Sequence, residues 1–182
     1  IDFARHNRRV YDLDLERRTV RVDAGVVLDQ LNDFLRPHGL QFGPDVATSS
    51  RATLGGMIAN NSSGARVRAH GVTADRVRSL DVLLADATIA RVSHDDPGVA
   101  RLKSAADNIV ARHVEAIRDR LPGGLLKRWP GYAFDRYLRR PSLVELVGGS
   151  EGTLACILSA ELDLVPLPQR RALAILFFRR VE

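Results

Sequence analysis

Residues 39–64 read Gly39-Leu40-Gln41-Phe42-Gly43-Pro44-Asp45 and run on to Leu54-Gly55-Gly56-Met57-Ile58-Ala59-Asn60-Asn61-Ser62-Ser63-Gly64. They gather Gly, Ser, Thr and Asn around a short apolar segment, where an ordinary core element would carry large side chains. Glycine permits positive φ and has no Cβ, so its backbone can come close to a ligand, and hydroxyls and carboxamides add donors. The ligand suited to such a loop is anionic and extended, such as a nucleotide pyrophosphate. The same composition also serves a tight turn that binds nothing, and the loop alone leaves both readings open.

Outward from this loop the hydrophobic period changes repeatedly. Val10-Tyr11-Asp12-Leu13-Asp14-Leu15 alternates, Glu16-Arg17-Arg18 turns, and Thr19-Val20-Arg21-Val22 alternates again, which reads as a hairpin. Val27, Leu28, Leu31, Phe34 and Leu35 then share one helical face, and Pro37-His38-Gly39 stops the helix. Residues 79–93 repeat the hairpin pattern with a turn near Asp86-Ala87. Val99, Leu102, Ala106, Ile109, Val110, His113, Ile117 and Leu121 form a stripe that predicts one helix over 99–121, ended by Pro122-Gly123-Gly124. Leu154 to Val165 reads as a strand with Leu158, Ala160, Leu162 and Leu164 on one face. Pro166 and Pro168 break it, and the apolar, β-prone run Leu173 to Phe178 reads as a new strand beyond the break.

Composition narrows the function classes. Of the 182 residues, 45% are hydrophobic and 27% charged, which suits one soluble globular domain. No apolar run reaches the roughly 20 residues that span a bilayer, and no charged region followed by an apolar one opens the chain. Cys156 is the only cysteine, so the segment holds no internal disulfide and no cysteine-built iron–sulfur or zinc site. His113 has no second ligand at helical spacing and reads as a core or boundary histidine; no metal site is expected. The net charge of +5 rests on arginines scattered in pairs among acidic residues, without a recognisable nucleic-acid module, so nucleic acid is not expected as a partner. Aromatic and basic residues alternate from Gly124 to Pro141, where Trp129, Tyr132, Phe134 and Tyr137 could either stack bases or fill a satellite core.

Four blocks, in order, resemble the FAD-binding domain of the vanillyl-alcohol oxidase and p-cresol methylhydroxylase flavoproteins. They are Thr19-Val20-Arg21-Val22-Asp23-Ala24-Gly25, the loop above, Gly71 to Ala87 with Leu80-Asp81-Val82-Leu83-Leu84-Ala85-Asp86, and Gly149-Ser150-Glu151-Gly152-Thr153-Leu154. Within that family the chain is most similar to the D-lactate, glycolate and D-2-hydroxyglutarate dehydrogenases. The resemblance implies an α+β fold of the PCMH type, with mixed sheets flanked by helices. It also implies a fragment that lacks the family's upstream glycine-rich phosphate loop. Residues 1–167 would be the truncated FAD-binding domain and residues 168–182 the start of a substrate or cap domain. His70 stands where the family often has Tyr, Ala87 where it commonly has Gly, and Ala155-Cys156 where a Gly-hydrophobic pair is commoner.

The resemblance further implies which residues meet FAD. Asp45 is expected to cap the turn after Pro44. Pro44, Ser49, Ser50, Thr53, Gly55 and Gly56 are expected on the pyrophosphate and flavin side, with Gly55 and Gly56 at a helix start whose free N–H groups suit an anion. Asn60, Asn61, Ser62, Ser63 and Gly64 continue that wall, and the stretch Glu151 to Ile157, with Glu151, Gly152, Thr153, Leu154 and Ile157 among its residues, would line the same cofactor largely through main chain. The two walls should therefore come together although about 90 residues separate them. The activity implied is oxidation of a D-2-hydroxy acid by hydride transfer to flavin N5. The catalytic base, any metal and the electron acceptor, an iron–sulfur domain or a quinone, belong outside this segment. The implied location is cytoplasmic or peripheral to the inner face of the membrane. Another FAD-linked carbohydrate or phenol oxidase, or an alkylglycerone-phosphate synthase, is the alternative, and a non-enzymatic basic module the distant one. Whether the flavin is covalently attached is open.

Overall fold

The computed structural model describes residues 2–3, 5–94, 99–121, 124–127, 131–170, 172–178 and 180. Six strands form one sheet: β1 (Val10–Asp14), β2 (Thr19–Asp23), β3 (Leu40–Phe42), β4 (Val77–Leu83), β5 (Ile89–Ser93) and β6 (Cys156–Pro166). Their order is β1-β2-β6-β4-β5, and β3 pairs with the far end of β6. The fold is α+β as expected, and in place of mixed strand directions every pairing is antiparallel. The backbone ladders of the two sequence-local hairpins are joined through β6, which accepts β2 on one edge and β4 on the other.

Alternation decides which face is buried. Val20, Val22, Leu80, Val82, Ala160 and Leu162 point into the main core. Their neighbours Arg21, Asp81, Ser159 and Glu161 occupy the opposite face. There Arg21 pairs with Asp81, the Ser159 hydroxyl donates to Asp81 at 2.6 Å, and Arg91 donates to Glu161 at 2.9 Å. The strand read over 154–165 is corrected in one detail. The β4–β6 register shifts between Asp81 and Val82, whose partners are Ser159 and Ile157, so Leu158 is skipped and Ile157 joins the core face instead. The skipped Leu158 is not idle, because its carbonyl accepts the Ala24 N–H at 2.9 Å.

Helices cover the inner face. Helix α1 (Leu28–Leu35) buries Leu28, Leu31 and Leu35, but Phe34, expected on that face, turns outward against His38 with ring centroids 6.1 Å apart. A short 3-10 turn (Arg36–His38) closes at Gly39, whose φ of 68° is the left-handed cap that glycine supplies without strain. Helices α2 (Leu54–Asn60) and α3 (Val67–His70) follow, with a 3-10 turn (Thr73–Arg76) leading into β4. The single helix expected over 99–121 is two, α4 (Ala100–Arg112) and α5 (Val114–Arg120). They break at His113, where the N–H reaches back to Val110 O rather than one residue further, tightening the last turn. His113 is exposed at that joint, and no metal-holding cluster occurs among the described residues.

The aromatic segment forms the satellite core. Tyr137 of α6 (Phe134–Arg139) is buried with Val110, Ile117 and Leu146, the last from α7 (Leu143–Val147). Its hydroxyl donates to Asp107 at 2.7 Å, which removes the cost of burying a phenol. Trp129 and the Pro122-Gly123 stop lie outside the described residues. Residues 172–178 form no strand, and Leu173, Ile175, Leu176, Phe177 and Phe178 are exposed, because no neighbouring strand among the described residues offers them a ladder.

Leu162 has no exposed surface and sits on the strand that joins both hairpins. Leu162→Ala is expected to destabilise the fold by about 2–5 kcal/mol, read as a lowered midpoint with an unchanged slope in urea unfolding.

Candidate functional site

The glycine-rich loop is laced onto the chain that leaves β2. Leu28 N–H donates to Ala52 O at 3.0 Å and Asp29 N–H to Ser49 O at 3.2 Å, while Leu54 N–H reaches Val26 O and Gly55 N–H reaches Ala24 O, both at 2.8 Å. Gly55 is required by this contact: a Cβ there would lie 2.7 Å from the Ala24 Cβ. Thr53 caps α2, its hydroxyl accepting the Gly56 N–H at 3.3 Å. The α2 start is therefore not the cluster of free amide donors that the sequence suggests. The Leu54, Gly55 and Gly56 hydrogens all have protein acceptors, because the antiparallel lacing takes what a helix N-terminus ordinarily leaves over.

The other end of α2 receives the second segment. Gly149 N–H donates to Ile58 O at 3.0 Å and Glu151 N–H to Ala59 O at 2.9 Å. The Asn60 amide donates to the Glu151 carboxylate at 2.6 Å. Two loops 90 residues apart in sequence thus meet on one short helix, as the shared-ligand expectation requires. Gly149 (φ 89°), Glu151 (φ 52°) and Gly152 (φ 76°) turn the chain sharply here.

Between the two segments runs a cleft of about 340 Å³. Thr53, Gly55, Gly56 and Ala59 form one wall, Gly152, Ala155, Cys156 and Ile157 the other, with Ala24, Phe3 and Asp2 completing it. Apart from Asp2, Phe3 and Ile157, the lining residues are small. A Cβ on Gly152 would meet nothing within 4 Å, and its N–H has no acceptor among the described residues, so this backbone is open to a partner. A narrow slot with apolar small residues on both sides and open main chain at the turn fits a flat aromatic ring with polar edges.

The remaining expected residues divide by what they already bond. Asn61 is the left-handed cap of α2, and its side-chain oxygen accepts the Ala74 N–H at 2.9 Å. The Ser62 hydroxyl donates to Asn60 at 2.8 Å. Thr153 donates to Ser150 O at 2.6 Å, and Leu154 is exposed. Asp45 does not cap the turn after Pro44. It accepts the Arg66 N–H at 3.1 Å across the loop, and Gly64 is needed because a Cβ would fall 2.0 Å from Asp45 O. Pro44 is buried, whereas the hydroxyls of Ser49, Ser50 and Ser63 have no partner among the described residues. His70 packs against Gly43, where burial, Arg76 and Arg66 hold its imidazole below the ordinary histidine range and favour the neutral ring. Ala155 and Cys156 fall within the Glu151 to Ile157 stretch expected to line the cofactor, whereas Ala24 and Ala59 are wall residues that the sequence does not mark, because alanine carries no signal of a ligand.

Comparison with known proteins agrees with this geometry. The chain is 36% identical over 186 residues to the D-2-hydroxyglutarate dehydrogenase of Pantoea ananatis, which covers 94% of this chain and 18% of that protein. It is 33% identical to the D-lactate dehydrogenase of Archaeoglobus fulgidus, covering 91% of this chain and 28% of that protein. It therefore spans only about a fifth to a quarter of the length of such relatives. Among solved structures, an alkyldihydroxyacetonephosphate synthase superposes with a TM-score of 0.58 at 20% identity, over 91% of this chain and 23% of that one. That level of identity shows a shared fold. The profile of the family described as FAD binding domain matches residues 1–93, from the N-terminal segment that packs on Gly25 to the end of β5. With half of the sequence matched and the glycine-walled cleft in place, this chain belongs to the FAD binding domain family.

Proposed function

We propose that the cleft between α2 and the 149–157 turn holds the flavin of an FAD-linked oxidoreductase that oxidises a D-2-hydroxy acid. The observation that carries this reading is the meeting of the Thr53–Asn60 and Gly149–Ile157 segments around one slot of small residues. Bound FAD supplies a two-electron acceptor for the hydride at C2 of the substrate. The chain's own contribution is binding and orientation. Gly56, Ala59, Ala155 and Ile157 would flank the ring and exclude water from its faces. The open Gly152 N–H would hold a polar edge, and the hydroxyls of Ser49, Ser50 and Ser63 are free to donate to phosphate or ribityl oxygens. Phosphate binding would come from such hydroxyls and loop amides, since the first-turn amides of α2 are taken.

The D-2-hydroxy acid substrate rests on the similarity to the two dehydrogenases, of D-2-hydroxyglutarate and D-lactate. Groups that grip the substrate carboxylate and remove its hydroxyl proton are assigned to polypeptide outside this chain, as is the electron acceptor, an iron–sulfur domain or a quinone. Residues 168–182 would begin the substrate domain, a reading supported by Pro166 and Pro168 and by the exposed apolar residues that follow. No helix among the described residues is long and apolar enough to cross a membrane.

Gly56 and Gly55 separate binding from folding. Gly56 faces the cleft, and a Cβ there meets only the Thr53 hydroxyl, at 3.1 Å. Gly56→Val should leave the far-UV circular dichroism unchanged and weaken FAD about tenfold or more, which is about 1.4 kcal/mol, in a flavin-fluorescence titration. Gly55→Val should instead unfold the domain, because its Cβ meets Ala24. A wild-type protein that neither quenches FAD fluorescence nor carries a blue absorbance band would sink the cofactor assignment. For the substrate class, the full-length protein loaded with FAD should bleach that band with D-2-hydroxyglutarate or D-lactate and not with the L enantiomers; bleaching by neither D acid counts against the D-2-hydroxy acid reading.

A further inference from the structure

We propose that Arg136, which lies outside the cleft on α6, is a positioning residue that holds the two cofactor-facing segments in register. Its functional consequence rests on the cofactor reading above; its structural part does not. The guanidinium donates from Nε to Glu145 at 2.5 Å and pairs through Nη1 with Asp75 at 2.7 Å. These carboxylates stand on different elements, Asp75 on the 3-10 turn before β4 and Glu145 on α7. Arginine's planar fork can serve both at once, which a single ammonium does less well.

Each carboxylate leads directly to one wall. The turn that carries Asp75 grips the end of the glycine-rich segment: Thr73 donates to Ser62 O from both N–H (3.0 Å) and hydroxyl (2.6 Å), and Ala74 N–H donates to Asn61. The helix that carries Glu145 ends at Val147 and releases the chain into Gly148-Gly149-Ser150-Glu151-Gly152. Gly148 packs so closely on Ala74 that a Cβ would come within 3.1 Å of the Ala74 Cβ. The ion pairs and the two amide bonds from Gly149 and Glu151 onto α2 are therefore successive ties along one seam. Arg136 and Glu145 side chains are only 15% and 4% exposed, so losing the cation leaves a carboxylate without solvent or partner. Burial opposes the guanidinium charge, but Glu145 and Asp75 outweigh it and keep Arg136 protonated.

Amide hydrogen exchange tests the seam without any cofactor. Arg136→Met should speed exchange at Gly149 and Glu151 at least tenfold while leaving Val20 and Leu162 in the sheet unchanged, and Arg136→Lys should recover part of the protection. Leu35→Ala, far from the seam, should lower the melting temperature without singling out those two amides. In the same preparations Arg136→Met should raise the FAD dissociation constant about tenfold or more. Unchanged protection at Gly149 and Glu151 in folded Arg136→Met, or equal acceleration throughout the sheet, overturns the proposal. If the Met variant does not fold, Arg136→Lys carries the test, and full protection of the turn in that variant is equally fatal. Faster exchange together with a wild-type protein that ignores FAD leaves the seam standing and removes the cofactor reading.

Discussion

Both edges of β6 must be satisfied, and almost everything else follows from how that is done. A strand of 11 residues in the middle of a sheet cannot leave its N–H and C=O groups unpaired away from water, so it draws in β2 on one side and β4 on the other. These partners come from hairpins that form locally and share no backbone ladder with each other among the described residues, although the Arg21–Asp81 side-chain pair links them directly. The long-range closure places residues 155–157, where β6 begins, against α2. The cleft sits at that junction because the strand and the helix arrive there from opposite ends of the chain.

Glycine in this domain serves packing at least as often as it serves a ligand. Gly55 lets a helix start within hydrogen-bonding distance of Ala24, and Gly64 lets Asp45 cross the loop; neither could carry a side chain even if nothing were bound. Gly56 and Gly152 differ, since space beside them opens toward the cleft. This distinction changes the physical picture of anion binding. A helix whose first amides are already bonded offers little beyond its weak dipole, so in the proposed reading recognition would come from slot shape and from hydroxyls outside the helix.

The arginine content finds its explanation in the sheet rather than in a partner. Arg21, Arg78 and Arg91 meet Asp81, Asp163 and Glu161 across strands on the face opposite the core. The Arg78 and Arg91 pairs are partly open to water and add at most about 1 kcal/mol each, whereas Arg21–Asp81 is more enclosed. The Arg136 pairs are of another kind, since burial makes them costly to break and ties three separate elements together. Among the described residues, charge thus divides into ion pairs spread over the polar face of the sheet and the enclosed Arg136 pairs on the helical side.

Periodicity alone determined the two hairpins, α1 and the existence of a strand over 154–165, observed at Cys156–Pro166, because each depends on residues that are neighbours in sequence. The glycine–serine loop marked the region of the site for the same reason: small residues in place of large ones are visible without coordinates. Tertiary structure decided the rest. The bulge at Leu158 puts Ile157 rather than Leu158 on the core face while Ala160, Leu162 and Leu164 stay inward, since an extra residue is absorbed only when β4 lies alongside. Phe34 turned outward because the three leucines of α1 already fill the contact, and the helix stripe through His113 could not reveal a break made by one backbone hydrogen bond. The lacing of residues 24–29 onto 49–55 consumed the donors that the sequence left for an anion. Ala24 and Ala59 became walls of the slot only when segments distant in sequence were brought together, because a small side chain acquires a role from what is packed around it.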